Sequence, residues 1–144
     1  MNPGEKLPFS VALGDFGLVL HGGAGAPAKL SEKDYARYTH TMNAALSAGW
    51  KALRDEASSL TAVLDAVKIL EDSPLFNAGG LGVVLDNEGH ARTDAGIMRG
   101  DTLKAGGVAH VRGVANPSQL ARLVMDKSAA LLLCGDGAEK FAIA

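Results

Sequence analysis

Leu70-Glu71-Asp72-Ser73-Pro74-Leu75-Phe76-Asn77-Ala78-Gly79-Gly80-Leu81-Gly82 decides how the rest of the chain is read. An apolar pattern of helical period runs into it and stops at Ser73-Pro74, because proline disfavours the helical conformation of the residue before it. Asn77 follows an aromatic residue and precedes glycines that let backbone approach other groups closely. Its amide both donates and accepts, so it can fix a reacting group or a water. A turn-forming asparagine is the plainer reading of the same residue.

Upstream, Leu60, Val63, Leu64, Val67 and Leu70 mark the buried side of the helix that enters this stretch. Before it, Ser31 with Asp34 forms a capping-box start for a helix whose apolar face is Tyr35, Tyr38, Met42, Ala45, Gly49 and Leu53. Earlier still, Phe16-Gly17-Leu18-Val19-Leu20 reads as a buried strand closed by His21-Gly22-Gly23-Ala24-Gly25-Ala26-Pro27. Downstream, Leu81–Leu85 and His90–Met98 read as strands around the turn Asp86-Asn87-Glu88-Gly89, and Gly106–Val114 as another strand. Asn116-Pro117 starts a helix, with Asn116 as cap. Ala129–Cys134 reads as a buried strand and a last helix begins near Asp136. Helices in a pair, then a strand hairpin, then helix and strand again make an α+β chain.

Composition narrows the function classes. The 144 residues form one domain at most, 47% apolar and 21% charged, with a net charge of −2. That charge gives no reason to expect a nucleic acid or an anionic membrane as partner. The single cysteine, Cys134, suits a reducing compartment and reads as a core thiol. Met1–Phe16 lacks a continuous apolar core, and no stretch reaches spanning length, so the cytoplasm is the expected location.

Other candidate groups have ordinary explanations. The glycines after His21 present N–H groups suited to a phosphate, a carboxylate or an oxyanion. Amino-acid kinases carry a similar loop, and a phosphate binder of that kind is a third reading of the chain. Lipase-like hydrolases use such a loop together with a Gly-x-Ser-x-Gly elbow, which this sequence lacks. His40, His90 and His110 show no metal spacing. Asp94 and Asp101 fit an acid–base pair, although loop carboxylates more commonly cap backbone N–H groups.

The series Leu18–Ala26, Leu70–Gly82, Asp94-Ala95-Gly96-Ile97-Met98, Leu103–Val108, Asn116–Met125 and Gly135–Ala142 resembles the N-terminal half of the isoaspartyl peptidase/L-asparaginase family. The resemblance implies an αββα sandwich of the N-terminal-nucleophile hydrolase type. Residues 1–16 would be an N-terminal extension and 17–144 the α-subunit-like part. It further implies a threonine nucleophile, freed by autoproteolysis, that attacks L-asparagine or a β-aspartyl dipeptide. That threonine would lie on a β-part outside this chain, within an (αβ)2 assembly, so the chain alone is expected to be inactive. By the same resemblance Asn77 sits next to the nucleophile, and His21, Gly22 and Gly23 form an adjoining active-site loop. No organic cofactor is implied. The backbone carbonyls of Leu70, Glu71, Ser73, Phe76, Ala78 and Gly80 match a sodium-binding loop, a role suited to carbonyls released from helical bonding. The chain departs from the family pattern at Glu56, where Gly is common, and at Thr61, where Asp is usual. Thr93 replaces a Met, Arg99 replaces an Asp, and Gly79–Gly82 is one residue longer. These departures fit a divergent enzyme or a truncated, non-catalytic paralogue serving as a binding or assembly module.

Overall fold

A computed structural model describes residues 16–23 and 30–144. It consists of a helix pair, α1 (Glu32–Arg54) and α2 (Ser59–Glu71), and a sheet of β1 (Thr93–Met98), β2 (Ala105–Val111) and β3 (Leu132–Cys134) carrying α3 (Pro117–Lys127) and α4 (Gly135–Ala142).

Ser31 caps α1 by accepting from the Asp34 N–H at 3.1 Å, while its hydroxyl donates to the Asp34 carboxylate at 2.7 Å. At the other end, Glu56 N–H donates to Leu53 O and Ala57 N–H to Ala52 O, the paired bonds of a helix stop that needs a left-handed residue. Glu56 occupies that place with φ +60°. The departure from glycine at this position therefore carries backbone strain. Glu56→Gly is expected to raise unfolding free energy by about 0.5–1 kcal/mol, read from chemical denaturation.

Ser58 caps α2 by accepting from Thr61 N–H at 3.2 Å, and the two hydroxyls lie 3.0 Å apart. The Thr61 departure is thus a capping contact. The helices press together where Gly49 faces Ala62 and Ala66: a Cβ at Gly49 would sit 2.8 Å from Ala62 O. Small Ala62 and Ala66 are buried while Val63 is exposed, so the contact is set by close backbone approach as well as by large side chains.

β1 and β2 form an antiparallel hairpin, and β3 joins β2 in parallel after α3, giving one crossover unit inside a mixed α+β chain. A bulge falls between Thr93 and Ala95, where His110 at φ +58° turns its N–H onto Asp94 Oδ1 at 2.7 Å. Val108, Val111, Leu120, Ala121, Val124 and Ala138 make the core between sheet and helices.

Several expectations change. Phe16–Leu20 forms no strand and pairs with none among the described residues, and Val19 is 95% exposed. Instead Phe16 rests on Trp50 with ring centroids 5.2 Å apart, and Leu20 joins the Ala45–Leu70–Phe76 cluster. Leu81–Leu85 reduces to a single bridge between Leu85 and Ala91 around the expected Asp86–Gly89 turn. The last strand is only Leu132–Cys134, and Cys134 is exposed rather than a core thiol. Alternation explains it: Leu133 points into the core, so Leu132 and Cys134 point to the opposite face of the sheet. On that face Met98 is 59% and Leu132 54% exposed, with Gly96, Ala105 and Gly107 between them.

Candidate functional site

The 70–82 stretch leaves α2 and folds back on it. Burial of Glu71 organises the turn. Its side chain is 2% exposed, and its carboxylate oxygens accept from Ser118 N–H and Ser118 Oγ–H, both at 2.9 Å. Those donors lie in the first turn of α3, so a carboxylate from α2 serves as cap to a helix that begins 46 residues later (Glu71 to Pro117). Burial pushes the Glu71 carboxyl above its usual range, and the two Ser118 bonds oppose that shift without cancelling it. Beside it, Asn116 makes no side-chain cap of its own helix; its Nδ2 donates to Asp72 Oδ1 at 2.8 Å. Lys68 and then Asn116 hold the Asp72 carboxyl below the usual range.

Glycines close the turn. A Cβ at Gly79 would lie 2.5 Å from Glu71 O, and one at Gly82 would lie 1.9 Å from Phe76 O and 3.1 Å from Ser73 O. Both positions exclude a side chain, whereas Gly80 has its nearest neighbour at 3.6 Å and is exposed. The extra residue of the 79–82 run is thus taken up with Gly79 and Gly82 as the two close-approach positions, and Leu81 is left in solvent.

The carbonyls expected to face a cation divide accordingly. Those of Ser73 and Phe76 converge over Gly82, and that of Glu71 faces Gly79. Leu70 O already accepts from Ser73 N–H at 3.2 Å, and Ser73 O accepts from Phe76 N–H at 3.5 Å. A set of backbone carbonyls suits a hard cation, and the Ser73–Phe76 pair is where such oxygens come together.

Asn77 is exposed, directly after buried Phe76. The His21–Gly23 segment comes to the same place: a Cβ at Gly22 would lie 3.1 Å from Phe76 Cε1 and 3.0 Å from Met42 Sδ. Phe76 is itself fixed edge-on against Tyr38, with centroids 5.4 Å apart. Gly23 has φ +107° and donates its N–H to His21 Nδ1 at 3.0 Å, which leaves Nε2 of a neutral imidazole to carry the proton. Two motifs far apart in sequence therefore meet on Phe76. Ala24–Pro27 of the glycine-rich loop lie outside the described residues.

The remaining candidates stay apart. Asp94 caps His110 N–H, while Asp101 accepts from Arg99 Nε at 2.9 Å and from Thr102 N–H at 2.9 Å, so the two carboxylates form no pair. The Arg99 departure is absorbed in this surface hairpin turn, and Arg99 holds the Asp101 carboxyl below its usual range. Asp86, Glu88 and His90 cluster in one turn, yet Asp86 already accepts from Glu88 N–H, His90 N–H and Arg92 Nε. His40 is exposed on α1 and His110 is exposed at the bulge. The sequence reading gave Glu71 only a backbone role and missed its side chain. The one local signal was a charged residue inside an apolar helical run.

Comparison with known proteins agrees with these motifs. The model of the family described as Asparaginase matches residues 15–144, and the chain belongs to that family. It is 48% identical over 125 residues to a plant-type L-asparaginase of Pyrococcus abyssi, covering 87% of this chain and 40% of that protein. It is 43% identical over 129 residues to an isoaspartyl peptidase of Escherichia coli, covering 88% of this chain and 40% of that protein. An isoaspartyl peptidase/L-asparaginase of Xenopus laevis is 45% identical over 125 residues, with 39% of its length covered. The chain thus spans about two fifths of the length of these relatives. No helix among the described residues is long and apolar enough to cross a membrane.

Proposed function

We propose that residues 17–144 are the N-terminal, α-subunit-like portion of an αββα hydrolase that cleaves the side-chain amide of L-asparagine and β-aspartyl peptides. The observation that carries this reading is the uncovered sheet face with exposed Met98, Leu131 and Leu132, in a chain matching only two fifths of each relative. A second sheet supplied by a β-part would bury those side chains, at roughly 25 cal/mol per Å2 of apolar surface removed from water.

In this reading the β-part brings a threonine exposed by autoproteolysis. Its hydroxyl attacks the amide carbonyl while its own α-amine takes the hydroxyl proton; that proton passes to the departing ammonia or amino group as the C–N bond breaks, and water then hydrolyses the resulting ester, releasing the carboxylic acid and restoring the threonine. Asn77 lies beside the attacking oxygen, held there by the packing of Phe76 on Tyr38 and Gly22. His21–Gly23 forms the adjoining wall. The carbonyls of Ser73 and Phe76, with those of Leu70, Glu71, Ala78 and Gly80 around them, would hold a sodium ion that stiffens the turn. Two αβ units would pair as (αβ)2.

An intact-mass spectrum of the native protein is expected to reveal a second polypeptide beginning with threonine. The purified 144-residue chain by itself is expected to show no hydrolysis of β-aspartyl dipeptides, and to gain it on reconstitution with that polypeptide. Turnover by the isolated chain would overturn the assignment of the nucleophile. Exchange of sodium for choline is expected to lower the melting temperature of the reconstituted protein.

A further inference from the structure

The segment Leu7-Pro8-Phe9-Ser10-Val11-Ala12-Leu13 lies outside the described residues and outside the family match, which begins at residue 15. Its large apolar residues, Leu7, Phe9, Val11 and Leu13, fall at every second position, and no charge interrupts them. That is the pattern of a strand with one apolar face. Gly14-Asp15 then separates it from Phe16–Leu20, and two residues with glycine first are the signature of a type II′ hairpin turn.

On the described side of that turn, the side chains of Phe16–Leu20 alternate. Phe16 rests on Trp50, and Leu18 Cδ2 would stand 2.7 Å from a Cβ added at Gly49. Leu20 joins the cluster of Ala45, Leu70 and Phe76, whereas Val19 is in solvent. Phe16, Leu18 and Leu20 thus face α1. Beside them Trp50 and Leu46, one helical turn apart, remain 42% and 39% exposed.

We propose that residues 7–13 fold back through Gly14-Asp15 and pair antiparallel with Phe16–Leu20, laying Phe9, Val11 and Leu13 over Leu46 and Trp50. A two-residue turn makes Leu13 and Phe16 the first bonded pair, followed by Val11 with Leu18 and Phe9 with Leu20. Residues directly opposite share a face, so the apolar side chains of both strands turn toward α1. A slip of one residue would put Phe9, Val11 and Leu13 in solvent. Pro8 falls opposite His21, where the N–H points away from the partner, so its ring costs no ladder bond. A segment tethered by two residues also reaches this face at an effective concentration that a separate chain must match. The other edge of Phe16–Leu20 stays open to a strand from a second polypeptide. By fixing Phe16–Leu20 the hairpin anchors His21–Gly23 against Phe76, whatever reaction the site performs.

Hydrogen exchange of the isotope-labelled protein, with any second polypeptide retained, tests the pairing. The amides of Phe9, Val11 and Leu13 are expected to exchange about 100-fold more slowly than those of Ser10 and Ala12. Trp50 is the one tryptophan of the chain, so its fluorescence reports the cover. Removal of residues 1–13 is expected to shift its emission to the red and to increase its quenching by acrylamide. Val11→Pro deletes a bonded N–H and is expected to reproduce that shift, whereas Ser10→Pro stands where no bond is made and leaves the emission unchanged. Uniformly fast exchange over 7–13, equal effects of the two proline variants, or a Trp50 emission indifferent to removal of residues 1–13 would each overturn the proposal. The last result would mean that another polypeptide, or a second copy of this chain, covers the face. If the shortened chain does not fold, the exchange pattern and the two proline variants still decide the matter.

Discussion

Glu71→Ala is expected to lower the unfolding free energy by about 3 kcal/mol, measured by urea denaturation. The side chain is fully buried and accepts two hydrogen bonds, from Ser118 N–H and Ser118 Oγ–H. Truncation leaves both donors without a partner and opens space between α2 and α3. It also strips α3 of its cap, since Asn116 is engaged with Asp72. Ser118→Ala removes one of the two donors and is expected to cost about 1 kcal/mol. The effect of pH has a definite sign. The Glu71 carboxyl is raised in the folded protein, chiefly by burial, so folding favours its protonated form. Its contribution is fully present below the ordinary glutamate value of 4.5 and is lost as pH rises through the higher folded value. Against Glu71→Gln, which does not titrate, the wild type is therefore expected to gain relative stability as pH falls through that window. A difference that moved the other way would show that the Ser118 bonds outweigh burial.

The other large effect is expected at Gly106. A Cβ there would stand 2.4 Å from both Ala121 O and Met125 N, backbone atoms of α3 that have no rotamer with which to yield. Gly106→Ala must push the helix off the sheet and loosen the cluster of Val108, Val111, Leu120 and Val124. A loss of about 3 kcal/mol or more is expected, at the upper end of overpacking effects. Gly107→Ala is the internal control. Its Cβ would come nearest the flexible end of the Leu132 side chain, at 3.0 Å on the uncovered face, with the backbone oxygens of Ala95 and Leu131 at ordinary contact distances of 3.5 and 3.8 Å, and the expected cost is below about 1 kcal/mol. Equal losses for the two variants would mean that strand conformation, not helix approach, sets the requirement for glycine.

What could be read from the residues follows from the range of the forces involved. Ser31 with Asp34 and the stop before Pro74 are local, and both helix limits appear where the sequence places them. The α3 start at Pro117 and the strand segments of β1 and β2 are local in the same sense, but their pairing is not: the sequence places the hairpin around Asp86–Gly89, where a single bridge forms instead. Phe16–Leu20 failed as a strand because a strand is defined by its partner, and an apolar run finds other surfaces when none pairs with it. Cys134 failed as a core thiol because apolar character does not say which of the two sheet faces is covered. The meeting of His21–Gly23 with Phe76 was legible only through family resemblance, since no spacing rule links the two segments. Glu71 was illegible altogether as a side chain. A buried carboxylate makes sense only once Ser118 is known to lie beside it.

Among the described residues one apolar cluster gathers on α1 and α2 around Ala45, Leu70 and Phe76, and another lies between the sheet and α3. Beside the first, α1 packs on α2, the next helix in the chain, at Gly49 against Ala62, a contact of short sequence separation of the kind that forms early in folding. The bonds from Glu71 and Asp72 to Ser118 and Asn116 span 47 and 44 residues, and they join the two parts. Such contacts close long loops and belong on the native side of the folding barrier, where their loss speeds unfolding more than it slows folding. The turn that carries Asn77 lies between these two parts, so it takes its final form in the last step of assembly rather than in the first.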